Sequence, residues 1–152
     1  MNGLDLIKYG ALGYSFLVGL TSFALADDLR NLKFYKKCLI AALISFSLGI
    51  ILELTNILNM DRGMTTLLMS ISIIYLGFYH LLRKLFEGWT GVDPYITSAS
   101  STIGATPIDG LWTKYPKKRK IMWTDFLFSF SQALIPIFTI VGLMILIIEM
   151  NK

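Results

Sequence analysis

Apolar residues along this chain fall into four stretches, 9–26, 38–60, 64–82 and 121–148, and the shortest is 18 residues long. A helix needs about 20 predominantly apolar residues to cross the hydrocarbon core of a bilayer, so each stretch has the length of a span. Runs such as 39–52 and 137–148 are apolar on every face, which fits helices rather than the alternating strands of a membrane barrel. The pattern predicts an all-α integral membrane protein: one domain over 1–152, with four transmembrane helices in an antiparallel bundle. Only Asp61, Arg62 and Gly63 separate the second stretch from the third, which predicts a tight hairpin between them. The long connection 83–120 is too short to hold a core of its own. Trp89, Tyr95, Ile103, Leu111 and Trp112 make it too apolar for a free linker, so it is expected to fold back onto the helix ends or onto a partner.

Composition supports the membrane class. Of the 152 residues, 55% are hydrophobic and 16% are charged, against roughly 25% charged in soluble domains. Charge position then orients the chain. Eleven of the fourteen Lys and Arg lie in 27–37 and 83–120, leaving Lys8, Arg62 and Lys152 for the other side. The positive-inside rule places both basic loops in the cytoplasm and both termini outside, in a plasma or inner membrane. Ala24, Leu25 and Ala26 resemble a signal-peptide cleavage site, which would remove 1–26. The uncharged balance of Asp5 and Lys8 and the basic residues that follow argue for retention.

Polar residues inside spans mark interfaces or pathways, so their angular positions are informative. At 100° per residue, Asp125, Ser129, Gln132, Pro136 and Thr139 share an arc of roughly 80° on the fourth span. Ser45, Gly49, Glu53, Asn56 and Asn59 form a wider stripe on the second. Glu53 lies fifteen residues beyond Cys38, about 22 Å along a helix, in the outer half of the bilayer, whereas Asp125 lies near the cytoplasmic surface. The two acids are therefore too far apart in depth for joint acid–base chemistry. His80 and Asp125 are expected at similar depth and could form a pH-sensitive latch. Pro136 is expected to bend the long fourth helix.

Two functional readings follow from these stripes. In the first, polar faces of several copies enclose a pore or ion path, with Glu53 and Asn56 in the pathway. Ser129 would belong to the same polar core, Asp125 would form the cytoplasmic mouth, and Pro136 with Gln132 a flexible element; a membrane-depolarising effector gated through the cytoplasmic loop is a variant. In the second, the stripes join helices within a non-conducting structural or anchor subunit of a larger complex, and 83–120 is the docking segment. Lys117, Lys118, Arg119 and Lys120, with Trp112 and Trp123, read as an anchor for anionic headgroups or a partner rather than a nucleic-acid patch. A homo-oligomer is expected. No phosphate-binding glycine loop, metal-ligand spacing or nucleophile motif occurs in the sequence, so no cofactor, metal or enzymatic activity is expected.

Overall fold

The computed structural model describes residues 3–97, 101–116 and 118–152. Among them the regular elements are helical: α1 (Gly3–Ala24), a short 3-10 turn (Ala26–Arg30), α2 (Leu32–Leu54), α3 (Met64–Thr90) and α4 (Trp123–Met150). Three of these, α2, α3 and α4, are long and apolar enough to cross a membrane. The helix α1, whose first half carries Lys8, Tyr9, Gly10 and Gly13, is not among them.

Helix ends follow capping chemistry more closely than they follow the edges of the apolar stretches. The helix α2 starts six residues before its stretch because Asn31 caps it, its side chain accepting from Lys33 N at 3.0 Å. It stops at Leu54 rather than at residue 60, since Asn56 and Asn59 take left-handed conformations, with φ of 47° and 48°, that a right-handed helix cannot propagate. The connection to α3 therefore spans 55–63 instead of the three residues expected. At its far end α3 continues through Arg83, Lys84 and Glu87 to Thr90. Gly91 ends it with φ of 68° and an N–H donated to Glu87 O at 2.8 Å.

The hub of the packing is α3, which touches α1, α2 and α4, while the Cα atoms of α1 and α4 stay more than 8 Å apart. Along α2 and α3, Tyr35 donates to Leu76 O, Ser45 to Met69 O at 2.8 Å, and Gly63 N to Glu53. Between α3 and α4, Phe128 packs edge-on to Tyr79 and Phe86, Tyr75 donates to Gln132 at 2.9 Å, and Asn151 donates to Arg62 O at 3.1 Å. Between α1 and its neighbours, Tyr14 donates to Ala41 O and Ser15 to Leu68 O. Ala42, Met69, Leu76 and Phe128 are the most buried apolar residues of the helices.

Gly49 sets the closest approach of α2 to α3. A methyl group at this position would lie 2.6 Å from Met69 Cβ, a distance that forces backbone or side-chain displacement. Gly142 in α4 faces open space. Gly49→Ala should therefore lower the thermal unfolding midpoint, with an overpacking cost of about 1–3 kcal/mol. Gly142→Ala should leave the midpoint unchanged or raise it, because Ala is the better helix former. A thermal melt of the detergent-solubilised protein compares the two.

Candidate functional site

The densest polar cluster lies where the 3-10 turn, the end of α3, the long connection and the start of α4 meet. Its chemistry begins with Asp27 and Asp28, two acids in an otherwise basic loop. Asp28 is 1% exposed and its carboxylate is cradled by backbone: Leu111 N, Trp112 N and Thr113 N donate to it at 3.0, 2.6 and 2.8 Å. Gly110 makes the cradle possible, since a Cβ there would sit 2.6 Å from Asp28 Oδ1. Next to it Asn31 donates to Trp112 O, and the Trp112 ring stacks on Phe34 at 4.9 Å. The connection is thus drawn down onto the start of α2.

A second fastening joins the same connection to α3 and α4. Arg83 grips Asp93 in a bidentate pair at 2.7 and 2.8 Å, and Arg30 reaches the same carboxylate at 2.8 Å. Asp125 is fully buried at the first turn of α4. It accepts from Met122 N at 2.8 Å, from Tyr95 N at 2.9 Å and from Arg119 Nη2 at 2.8 Å. Arg119 also donates to Asp93 O. The buried Tyr95 ring packs against the Arg119 guanidinium at 4.1 Å, with that of Arg30 at 5.3 Å, and meets Tyr115 edge-on at 4.5 Å. Tyr115 closes the circuit by donating Oη to Asp27 Oδ1 at 3.1 Å and N to Asp109 at 2.8 Å.

Burial pushes the Asp27 carboxyl above its ordinary range; the Tyr115 hydrogen bond opposes this and the neighbouring Asp28 charge adds to it. Burial likewise raises the Tyr115 phenol, reinforced by Asp27. Arg30 Nη1, Arg119 Nε, Tyr95 Oη and Thr113 Oγ1 are buried without a hydrogen-bond partner among the described residues. No group of three or more His, Cys, Asp or Glu is placed to hold a metal ion among the described residues. The carboxylates of Asp28, Asp93 and Asp125 are each engaged by several donors, so the cluster acts chemically as a fastener.

The residues singled out from the sequence distribute differently from the expectation. Glu53 accepts from Gly63 N at 2.6 Å and Thr66 N at 3.2 Å, so its charge caps the start of α3. Asn56 is exposed in the left-handed turn beyond α2. Gln132 and Pro136 are buried, and Gln132 is bonded to Tyr75. Ser129 accepts from Thr97 N at 2.8 Å and donates to Asp125 O. His80 is exposed beside the Tyr35 ring and is not brought to Asp125, whose oxygens are taken by Arg119 and two backbone donors. Within the basic run, Arg119 turns inward while Lys118 and Lys120 stay exposed; Lys117 lies outside the described residues. Trp112 is exposed over Phe34, and Trp123 is exposed beside Trp89.

Sequence reasoning passed over Asp27, Asp28, Arg30, Arg83 and Tyr115 as parts of one site. The signal available was the Asp27–Asp28 pair, anomalous among Arg30, Lys33, Lys36 and Lys37. No protein-family model, curated protein or solved structure matches the chain.

Two outcomes follow. A hydrogen bond to a charged group contributes about 1.5–3 kcal/mol, so Asp28→Ala should release the connection and speed limited proteolysis within 101–116 several-fold. Asp27 is more readily protonated in the folded protein than in the unfolded chain, so its contribution favours folding at acid pH and opposes it as pH rises through the raised value. Asp27→Asn should therefore raise the unfolding midpoint at pH 7, and its advantage over the parent should shrink as pH falls toward the carboxylate range.

Proposed function

We propose that the chain is a non-conducting membrane scaffold: a four-span antiparallel helix bundle whose basic loop side faces the cytoplasm and holds a partner protein. The observation that carries this reading is the pairing, within one chain, of polar side chains on helices long and apolar enough to cross a membrane. Ser45 bonds to Met69 O, Tyr75 to Gln132, and Glu53 to the backbone of the next helix. Polar groups bonded this way act as interhelical glue. An oligomeric pore or depolarising effector needs polar groups free to line a shared axis, and those expected to do so are engaged or, like Asn56, lie outside the helices.

The loop side supplies the surface for a partner. Ile108, Leu111 and Trp112 are 68%, 74% and 56% exposed on a segment that Asp28 holds in one place. Such rigid apolar anchors suit a docking site. Lys118, Lys120 and Trp123 beside the start of α4 suit anionic headgroups and the membrane interface. The eleven bases assigned to this side support the cytoplasmic orientation.

Vesicles containing inserted protein test the reading. They should show ion flux no greater than protein-free vesicles, and Glu53→Gln should lower thermal stability without altering that flux. An ion current whose selectivity changes in Glu53→Gln would overturn the scaffold reading in favour of the pore.

A further inference from the structure

The acids on the loop side each have a partner inside the chain. Asp28 and Asp125 are buried among backbone donors, Asp93 is held by Arg30 and Arg83, Asp27 and Asp109 by Tyr115, and Glu87 by Lys84. The bases divide into two groups. Arg30, Arg83 and Arg119 reach the carboxylates of Asp93 and Asp125. Lys33, Lys36, Lys37, Lys114, Lys118 and Lys120 are exposed and make no ion pair among the described residues. The charge left facing outward is therefore positive, with the acids of this side engaged within the fold.

Three of these lysines border an aromatic plate. Trp112 stacks on Phe34 at 4.9 Å and its carbonyl accepts from Asn31 at 3.3 Å, so the ring is set against the first turn of α2. Lys33 precedes Phe34, and Lys37 follows it by three residues, on the same helix face. Along the connection burial alternates: Thr113 and Tyr115 are buried while Trp112 and Lys114 are exposed, so Lys114 faces outward with the ring. Leu111 beside it is exposed as well.

A ligand for this surface needs apolar side chains for the plate and carboxylates for the lysines. The plate is also ordered in advance, because Asp28 fixes the backbone of Leu111, Trp112 and Thr113 through three N–H groups. An anchor already held in place loses little conformational entropy on binding a partner of defined shape. A fluid lipid surface attracts basic and aromatic side chains without requiring one fixed arrangement of them.

We infer that the Trp112–Phe34 plate and its lysines form a docking site for an acidic amphipathic segment of a partner protein. An apolar side chain of that segment seats on Trp112 and Leu111, while its Asp and Glu meet Lys33, Lys37 and Lys114. This assignment rests on the partner-holding scaffold reading above and gives the chemistry of the partner.

The full chain inserted in phosphatidylcholine nanodiscs, panned with a random-peptide phage library, provides the test. Peptides with several Asp or Glu among apolar residues should be enriched several-fold over the starting library. A fluorescently labelled copy of one selected peptide should bind Trp112→Ala about tenfold more weakly than the parent. Lys37→Glu combined with Lys114→Glu should turn the selection toward basic peptides, and Lys33→Glu takes the place of either charge change if it prevents folding. Trp89→Ala, at a tryptophan 63% exposed on α3, should leave peptide binding unchanged. Enrichment of neutral or basic peptides on the parent, no enrichment, or acidic peptides whose binding survives both the Trp112 and the lysine substitutions overturns the acidic docking site alone. Labelling of Trp112 by phosphatidylglycerol carrying a photoactivatable diazirine, with no peptide selected, overturns it in favour of the membrane surface. An ion current through the inserted protein overturns the scaffold reading and leaves the peptide result standing.

Discussion

A polar group removed from water has to find its partner inside the protein, and this constraint organises the chain from one end to the other. Within a bilayer an unpaired amide or hydroxyl costs several kcal/mol, while apolar side chains gain little by leaving lipid for each other. Helix adhesion then depends on the small number of polar contacts and on close backbone approach. The central α3 receives both. It takes the Ser45 hydroxyl on one side, presents Tyr75 to Gln132 on the other, and meets Gly49 with no space for a Cβ. Its starting N–H groups, which a helix leaves unsatisfied, are closed by the Glu53 carboxylate from the preceding helix.

The same constraint acts on the long connection in a different medium. Among the described residues its backbone pairs with itself in few places: the exchange between Gly104, Ala105 and Ile121, and the turns closed by Ala105 N to Thr102 O and Arg119 N to Pro116 O. Side-chain carboxylates take over that function. Asp28 gathers three consecutive N–H groups and Asp125 gathers two more, each acid being buried and each tied to a different helix start. Of these two acids Asp125 is also paired with Arg119, while Arg30 and Arg83 both pair with Asp93 on the same connection. A buried ion pair contributes modest net stability, but removing one partner is costly, which is the property expected of a fastener that holds one geometry.

The sequence exposed the parts of this design that repeat along the chain and concealed those that join distant segments. Helical class and the approximate positions of α2, α3 and α4 follow from apolar length alone. The inward stripe on α4 was legible as well, because Asp125, Ser129, Gln132 and Pro136 share an angle. Its partners were not legible, since Tyr75, Tyr95 and Thr97 lie 30 or more residues away and nothing local marks them. Glu53 shows the limit most directly. Hydropathy places a carboxylate in a span, whereas the φ values of Asn56 and Asn59 end the helix just beyond it and turn the acid into a cap. The Lys117–Lys120 run misled in the same manner: four adjacent bases read as one surface, yet Arg119 turns inward to Asp125 because a planar guanidinium can serve a carboxylate and an aromatic face together.

Burial differs sharply between the helices, and this bears on how α4 is held. Half of the most apolar part of α3 is buried within the chain, against 6% for α4. Over that part α4 has little apolar contact with its neighbours, its aromatic packing lying nearer its start, where Phe128 meets Tyr79 and Phe86. Three polar attachments spaced along it replace that contact: Asp125 with Arg119 and Tyr95 at one end, Gln132 with Tyr75 further along, and Asn151 with Arg62 O at the other. Three separated points fix the position of a rod while leaving most of its surface free. The apolar face between them, Phe130 and Phe138 included, stays exposed.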